Sequence, residues 1–388
     1  MTLIKTELSH FLQKKKIFNF LIFLFPLSFI FGNLIVNLEI VFISCLGIFI
    51  YKKNIFYAFD KKILFIFCLF FLILILSTIV YHNFDIQNEQ IIKSIIFLRY
   101  LILFLVIGTA IKNDDLNFKL LFLFCFFISL FLSADIVFQY FFDKNLFGYS
   151  SETNHNSSIF GPELIAGGLI QKLSLLGVIF ISFITQKFNK IILLMFFFIS
   201  IVAFGVLLSG NRMPFLLFIL SICVSLFFFK KYRLLIIASF TIILFLLINL
   251  INNNEVYKKN LISFYNNSIN IVMIFKNEIG NKSHSDKDEL FKFGSGHGLI
   301  YISALDTWLD KPYLGSGIKS FRINCKKREF IFYPGKTEHG GQKNRTCAPH
   351  PHNYYLEILN DTGFIGLLVL MIGIFLIIFK NINFYKSK

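Results

Sequence analysis

Charge is scarce in this chain of 388 residues: Asp, Glu, Lys and Arg make up 15% of it, against 56% hydrophobic residues. That balance excludes a soluble globule, in which about a quarter of the residues are charged. No small-residue cleavage site separates the first apolar run from the second, which excludes a cleavable signal peptide. The chain also lacks a Walker loop, a Rossmann fingerprint and a Gly-x-Ser-x-Gly elbow, so none of the chemistries those motifs carry is expected. There is no internal repeat. The formal net charge is +16, yet no basic-aromatic stripe or nucleic-acid motif accompanies it, and nucleic-acid binding is set aside.

Hydrophobic length is what the sequence does have, with Phe at 54 positions. Apolar runs of about 16 to 24 residues recur, close to the roughly 20 residues a helix needs to cross a bilayer. Ten are expected, near 17–32, 34–51, 63–81, 91–111, 119–142, 163–186, 190–209, 214–230, 233–251 and 364–380. Basic residues orient them: Lys5 and Lys14 to Lys16 precede the first run, and Lys52, Lys53, Lys61 and Lys62 follow the second. Lys187 and Lys190 lie between six and seven, and Lys230, Lys231 and Arg233 between eight and nine. The alternate loops are almost bare: 82–90 has no Lys or Arg and 143–162 only Lys144. The positive-inside rule then places both termini in the cytoplasm and, by parity, the long segment 252–363 outside. About half of the excess charge is this inside anchoring. A basic outer loop suits anionic head groups, diphosphates or acidic glycans.

The expected fold is all-α, a polytopic transmembrane bundle of about ten spans with one large helical or irregular exterior loop. The expected organisation is a bundle over 1–251, the exterior loop over 252–363, and the last span with its cytoplasmic tail over 364–388. Within the loop, 252–270 is Asn-rich and 276–296 polar and charged, both read as mobile surface or short helices. Leu299, Ile300, Ala304 and Trp308 recur at helical spacing. Asp310-Lys311-Pro312 should stop that helix, and Gly315-Ser316-Gly317 should turn tightly before Phe321-Arg322. Residues 351–361 read as a short amphipathic helix with Pro351 near its first turn.

Candidate chemistry gathers at the exterior side. His350-Pro351-His352-Asn353 puts two imidazoles within three residues, just before the last apolar run. Histidine is the usual proton carrier near neutral pH. Two His two apart, with no carboxylate or Cys set nearby, are a weak metal signal, and no metal is expected. Glu39, Arg99, Asp135 and Lys172 fall roughly 8 to 15 Å inside the outer half of their spans, counted at the helical rise. They form either a polar pit for a lipid head group or structural pairs such as Arg99 with Asp135, and both readings stay open. Ser209-Gly210-Asn211-Arg212 occupies a short exterior turn, where Arg offers a planar fork to phosphate or simply snorkels at the interface. Cys45, Cys68, Cys125 and Cys223 lie within spans as packing residues. Cys325 and Cys347 are the two in the exterior loop; an oxidising compartment favours a disulfide worth about 3 kcal/mol, against two free thiols.

Three of these segments resemble the O-antigen ligase and O-antigen polymerase superfamily of bacterial inner-membrane glycosyltransferases. They are the Ser209–Arg212 turn, the stretch Ala304 to Gly317, and His352-Asn353 followed after nine residues by Gly363 and after two more by Gly366. The third is the most specific. The likeness covers about half of the chain, from the seventh span onward.

The resemblance implies inverting transfer of a glycan from an undecaprenyl diphosphate carrier, on the periplasmic face of the inner membrane, without metal or other cofactor. In the ligase branch, which the signature favours, the acceptor is the lipid A core and the product lipopolysaccharide. By the same resemblance His352 is the general base, and Arg212 holds the diphosphate. Arg99, Lys172 and Arg322 are candidates for a second cation. His350 and His297 are supporting candidates, and Asn353 either meets substrate or caps a helix. The alternatives are an O-antigen polymerase, whose acceptor is a second carrier-linked chain, and a protein O-oligosaccharyltransferase. A transporter or flippase is more distant, since it needs charges along a full path and these stop in the outer half.

Overall fold

The computed structural model describes residues 2–83, 85, 88–151, 155–185, 192–253, 296–327 and 347–386, with isolated positions between 255 and 269. The polar stretch 276–295 and much of the Asn-rich stretch before it lie outside the described residues. The described chain is helical, with no strand beyond one bridge between Lys144 and Ser150. Ten helices precede the long loop: α1 (Thr2–Phe31), α2 (Asn33–Tyr51), α3 (Lys61–Tyr81), α4 (Glu89–Ile96), α5 (Leu98–Lys112), α6 (Phe118–Phe142), α7 (Ala166–Thr185), α8 (Ile192–Leu208), α9 (Arg212–Phe228) and α10 (Arg233–Asn253). Three follow: α11 (Gly296–Trp308), α12 (Phe321–Asn324) and α13 (Tyr354–Lys386).

Seven segments are long and apolar enough to cross a membrane by length and composition, and two shorter apolar helices lie at Leu193–Leu208 and Arg212–Phe227. With α1, which contains the first apolar run, each expected span coincides with a helix among the described residues. Helices are what a bilayer demands, because they satisfy their own backbone groups where no water is present. Their ends carry local signals: Asp60, Asn88 and Asn117 cap α3, α4 and α6 with side-chain oxygens. The run near 91–111 is two helices, α4 and α5, meeting at Phe97.

The chain divides into two compact units, Met1–Leu46 with Asp114–Phe264, and Gly47–Asn113 with Tyr265–Lys388. The first is built on α6 to α10, whose core includes Leu132, Ile136, Ile181, Phe198, Ile199 and Ile243. Here α6 and α8 approach closely at Gly205, where a Cβ would lie 2.6 Å from that of Ser133; small residues let apolar helices meet without a solvent-driven hydrophobic effect. Lys15 pairs with Asp115 at 2.5 Å.

The second unit gathers α3, α4, α5 and α11 to α13. Here Lys112 donates to the Tyr57 carbonyl, and Lys380 lies 3.7 Å from Asp60. A small separate core joins Ile300, Ala304, Phe321 and Cys325, with Cys347, Ala348 and Leu356 against it. Cys325 and Cys347 are bonded, their Cα atoms 5.9 Å apart.

Candidate active site

In the first unit the site is a turn and the loop that clamps it. Helix α8 ends at Leu208, the chain turns at Gly210 with φ +74°, and Arg212 opens α9. Pro214 sits in the first turn of α9, where no backbone donor is missed. Ser209 is buried; its hydroxyl donates to the Val206 carbonyl and accepts from the Asn211 amide. Asn211 donates to the Leu164 carbonyl at 3.1 Å. From the loop after α6, Asn156 donates to the Leu208 carbonyl at 2.8 Å, and the Nδ1 of His155 lies 3.3 Å from the Ser209 carbonyl oxygen. A carbonyl only accepts, so Nδ1 carries the proton. Gly167 closes the clamp: a Cβ there would lie 2.3 Å from the Ser209 hydroxyl oxygen.

The loop is itself tied down by Asp135. This fully buried carboxylate accepts from the Leu146 amide at 2.9 Å and from the Ser158 hydroxyl. Gln139 accepts from the Ser158 amide, and Asn145 donates to the Ser158 carbonyl. The groups that Asp135 meets are those of the loop, rather than the Arg99 offered as its pair. Lys172 is exposed on α7. It lies one turn beyond Gly168, where a Cβ would be 3.9 Å from the Pro214 ring, so it shares the face of α7 that runs beside the start of α9.

In the second unit the site is the entry to α13. His350 and His352 are exposed, with ring centroids 4.2 Å apart. Pro351, expected in the first helical turn, lies before the helix. His352 takes a left-handed conformation, φ +54°, and Asn353 caps α13 by accepting from the amides of Tyr355 and Leu356 at 2.9 and 3.2 Å. Of the two roles open to Asn353, the cap is the one its oxygen fills.

Nine residues into α13 the helix breaks at Gly363, with φ +67° and ψ −171°. The turn after α11 fills the break. Amides of Ser316 and Gly317 donate to the carbonyls of Asn360 and Asp361, while Phe364 and Ile365 donate to the carbonyls of Pro312 and Tyr313. Four backbone groups at the break thus find partners in that turn. No side chain fits between them: a Cβ on Gly363 would lie 2.2 Å from the Tyr313 carbonyl oxygen. Helix α3 adds Ser77, which donates to the Asp361 carbonyl, and Thr78, which accepts from the Ile318 amide. Asp361 is buried and accepts from the amide and hydroxyl of Ser320. Asn360 reaches the Ala304 carbonyl at 3.0 Å. The helix that begins at Asn353 is thus bolted to α11, α3 and the Gly-Ser-Gly turn.

The other candidates divide. Arg322 is exposed on α12, three residues before the disulfide. Arg99 is half-buried on α5, where its guanidinium lies 4.7 Å over the Tyr100 ring and donates to the Tyr100 hydroxyl. The backbone of His297 lies in the first turn of α11. Arg212 and Lys172 belong to the first unit, and His297, His350, His352, Asn353, Arg322 and Arg99 to the second.

Two histidines in loops went unread in the sequence: His155, and His82 at the end of α3. His82 stacks edge-on against Tyr81, whose hydroxyl donates to Asn324 beside the disulfide. Burial, helped by Lys327 and opposed by Asp85, holds its imidazole below the ordinary histidine range.

Residues 195–371 match the family model of the O-antigen ligases. This part of the chain is similar to the O-antigen ligases. The match runs from α8 through the Arg212 turn and the 304–317 stretch to just past the Gly363 break, a little under half of the chain. Comparison with curated proteins and with solved structures finds no match. Its long apolar helices make this a multi-pass membrane protein, and residues 195–371 carry the likeness to the O-antigen ligases.

Proposed function

We infer that the protein is an O-antigen ligase-type glycosyltransferase, moving a glycan from undecaprenyl diphosphate to a lipid A core acceptor in lipopolysaccharide biosynthesis. The observation that carries this reading is the entry to α13: an exposed imidazole on a left-handed residue, held by a disulfide on one side and a capped, bolted helix on the other. A proton carrier is of use only if its position is fixed relative to the hydroxyl it serves.

In this reading His352 takes the proton of an acceptor hydroxyl as its oxygen attacks the anomeric carbon. The bond to the diphosphate breaks on the opposite face, which inverts the anomeric configuration. His350, with its ring beside that of His352, supports its orientation. Arg212 meets the charge that develops on the leaving diphosphate, and fixed positive charge there lowers the barrier directly. Lys172, Arg322 and Arg99 are the candidates for a second cation; Lys172 lies on the helix face beside the Arg212 turn, while Arg99 is engaged by Tyr100. His297 is a further candidate for the acceptor side. The carrier arrives already activated, so the chemistry asks for no metal and no nucleotide. The site faces the periplasm from a multi-pass chain in the inner membrane.

The test is a deletion strain complemented with wild-type protein or His352→Ala, read on a lipopolysaccharide gel with immunoblotting for abundance. The expected result is polymer-capped core with wild type and bare core with the variant at equal abundance, a loss of at least a hundredfold. Capped core with the variant removes His352 as the base. If the strain without the protein makes core bearing a single repeat, the protein is a polymerase instead.

A further inference from the structure

The loop that clamps the Arg212 turn lies before residue 195, outside the segment that matches the ligase family. Its contacts are more than an interfacial arginine needs. Asn156 and His155 reach two consecutive carbonyls, Leu208 and Ser209, and Asp135 anchors the loop that carries them. The imidazole is pinned through Nδ1, which leaves Nε2 as the nitrogen that can serve a ligand. A ring held by one nitrogen through a carbonyl is oriented for use of the other. The half-buried His155 is joined to Ser209, three residues before Arg212. Lys172 lies on the face of α7 beside the start of α9.

We propose that His155 is a second binding residue for the donor's diphosphate, its Nε2 donating a hydrogen bond to a phosphate oxygen held by Arg212. The inference rests on the reading of Arg212 as the diphosphate cation. With Nδ1 already donating to Ser209, a ring that also donates from Nε2 to a phosphate oxygen carries both of its protons. The two cations meet the ligand differently. Arg212 offers a fork with fixed charge, and His155 adds one directed bond from a ring that the loop fixes in place. The loop between α6 and α7 thereby becomes part of the donor site.

The two nitrogens can be tested apart, because an Asn amide takes the place of Nδ1 and a Gln amide that of Nε2. Full-length protein in proteoliposomes is assayed with the undecaprenyl-diphosphate glycan, measuring KM for the donor, kcat and thermal stability. His155→Asn keeps the bond to Ser209; it is expected to melt near wild type, with a donor KM about tenfold higher and kcat little changed. His155→Gln is expected to recover most of that KM. An Asn variant with wild-type KM, or a Gln variant as poor in KM as His155→Ala, means that the ring only holds the turn and overturns the proposal.

Wild-type protein supplies a measurement that needs no variant. Undecaprenyl diphosphate should reduce ethoxycarbonylation of His155 by diethyl pyrocarbonate several-fold, read by mass spectrometry; unchanged modification also overturns the proposal. Arg212→Ala separates the two levels. A raised donor KM in Arg212→Ala with none in His155→Asn sinks this inference and spares the reading it rests on. A donor KM unchanged in both sinks both.

Discussion

His82 shows how a single side chain sets a pH limit. Its imidazole titrates below the ordinary histidine value because burial at the end of α3 disfavours the charged ring, with Lys327 adding to the effect and Asp85 opposing it. Between that lowered value and the unfolded value near 6.5, the unfolded chain holds a proton that the folded chain does not. The contribution of His82 is therefore fully present above about pH 6.5 and is lost as pH falls toward the folded value. Thermal unfolding of detergent-solubilised protein at pH 7.5 and pH 5 should show a loss of stability on acidification that is smaller in His82→Gln. An equal loss in both proteins places the acid sensitivity elsewhere.

What the sequence reveals at this scale depends on how local the signal is. The disulfide is legible because Cys325 and Cys347 are the two thiols of one loop, and His352 stands out as a candidate because its spacing to Gly363 and Gly366 is local. His155 has no such mark: it is one polar residue in a polar loop, and its meaning comes from a carbonyl 54 residues away. Asp135 is visible as a costly charge in an apolar run, but its partners lie in a loop with no pattern of its own.

The break in α13 shows the same limit one level up. A continuous apolar run after residue 364 reads as a span, and 351–361 as a short helix before it, which is close to what forms. The turn at 312–317 also reads as a turn. Nothing in either stretch says that the turn docks into the break, since that depends on backbone groups some fifty residues apart. Once docked, the spacing of the His352 motif acquires a cause. The interval from Asn353 to Gly363 is the length of helix between the cap and the point where Tyr313 and Gly315 need room.

Gly363→Ala is the decisive change at this scale. Its φ and ψ fall where a side chain costs about 1 to 3 kcal/mol even in open space, and the new Cβ would press on the Tyr313 carbonyl. The expected result is a lower melting temperature, or little folded protein, with transfer lost in parallel. Gly373→Ala is the control: it has ordinary helical placement and a Cβ 3.2 Å from a movable Ile66 methyl, so it should cost far less. Equal melting temperatures for the two variants would separate the break from stability.

For the whole molecule, composition reveals most, because hydropathy and charge add up residue by residue along a run. The all-helical bundle and the positions of its spans follow from that sum. Sidedness is an expectation from the Lys and Arg asymmetry, under which the contacts of Lys15 with Asp115 and of Lys112 with Tyr57 belong to the inner side. Sidedness also decides the chemistry: a lipid-borne donor and an exterior acceptor can meet His352 only if parity has placed the loop after α10 outside.

Single cysteines can test that parity. In a background with Cys45, Cys68, Cys125 and Cys223 replaced by Ser, the Cys325–Cys347 disulfide leaves no reactive thiol. Cysteine is then introduced at exposed positions on each side: Ser150 and Lys311 outside, Asn113 and Lys53 inside. In intact spheroplasts an impermeant maleimide should label the variants at 150 and 311 at least tenfold more than those at 113 and 53, with the difference vanishing after lysis. The reverse pattern would put His352 in the cytoplasm, away from any exterior acceptor. A split between 150 and 311 would break the count of spans between α6 and α11.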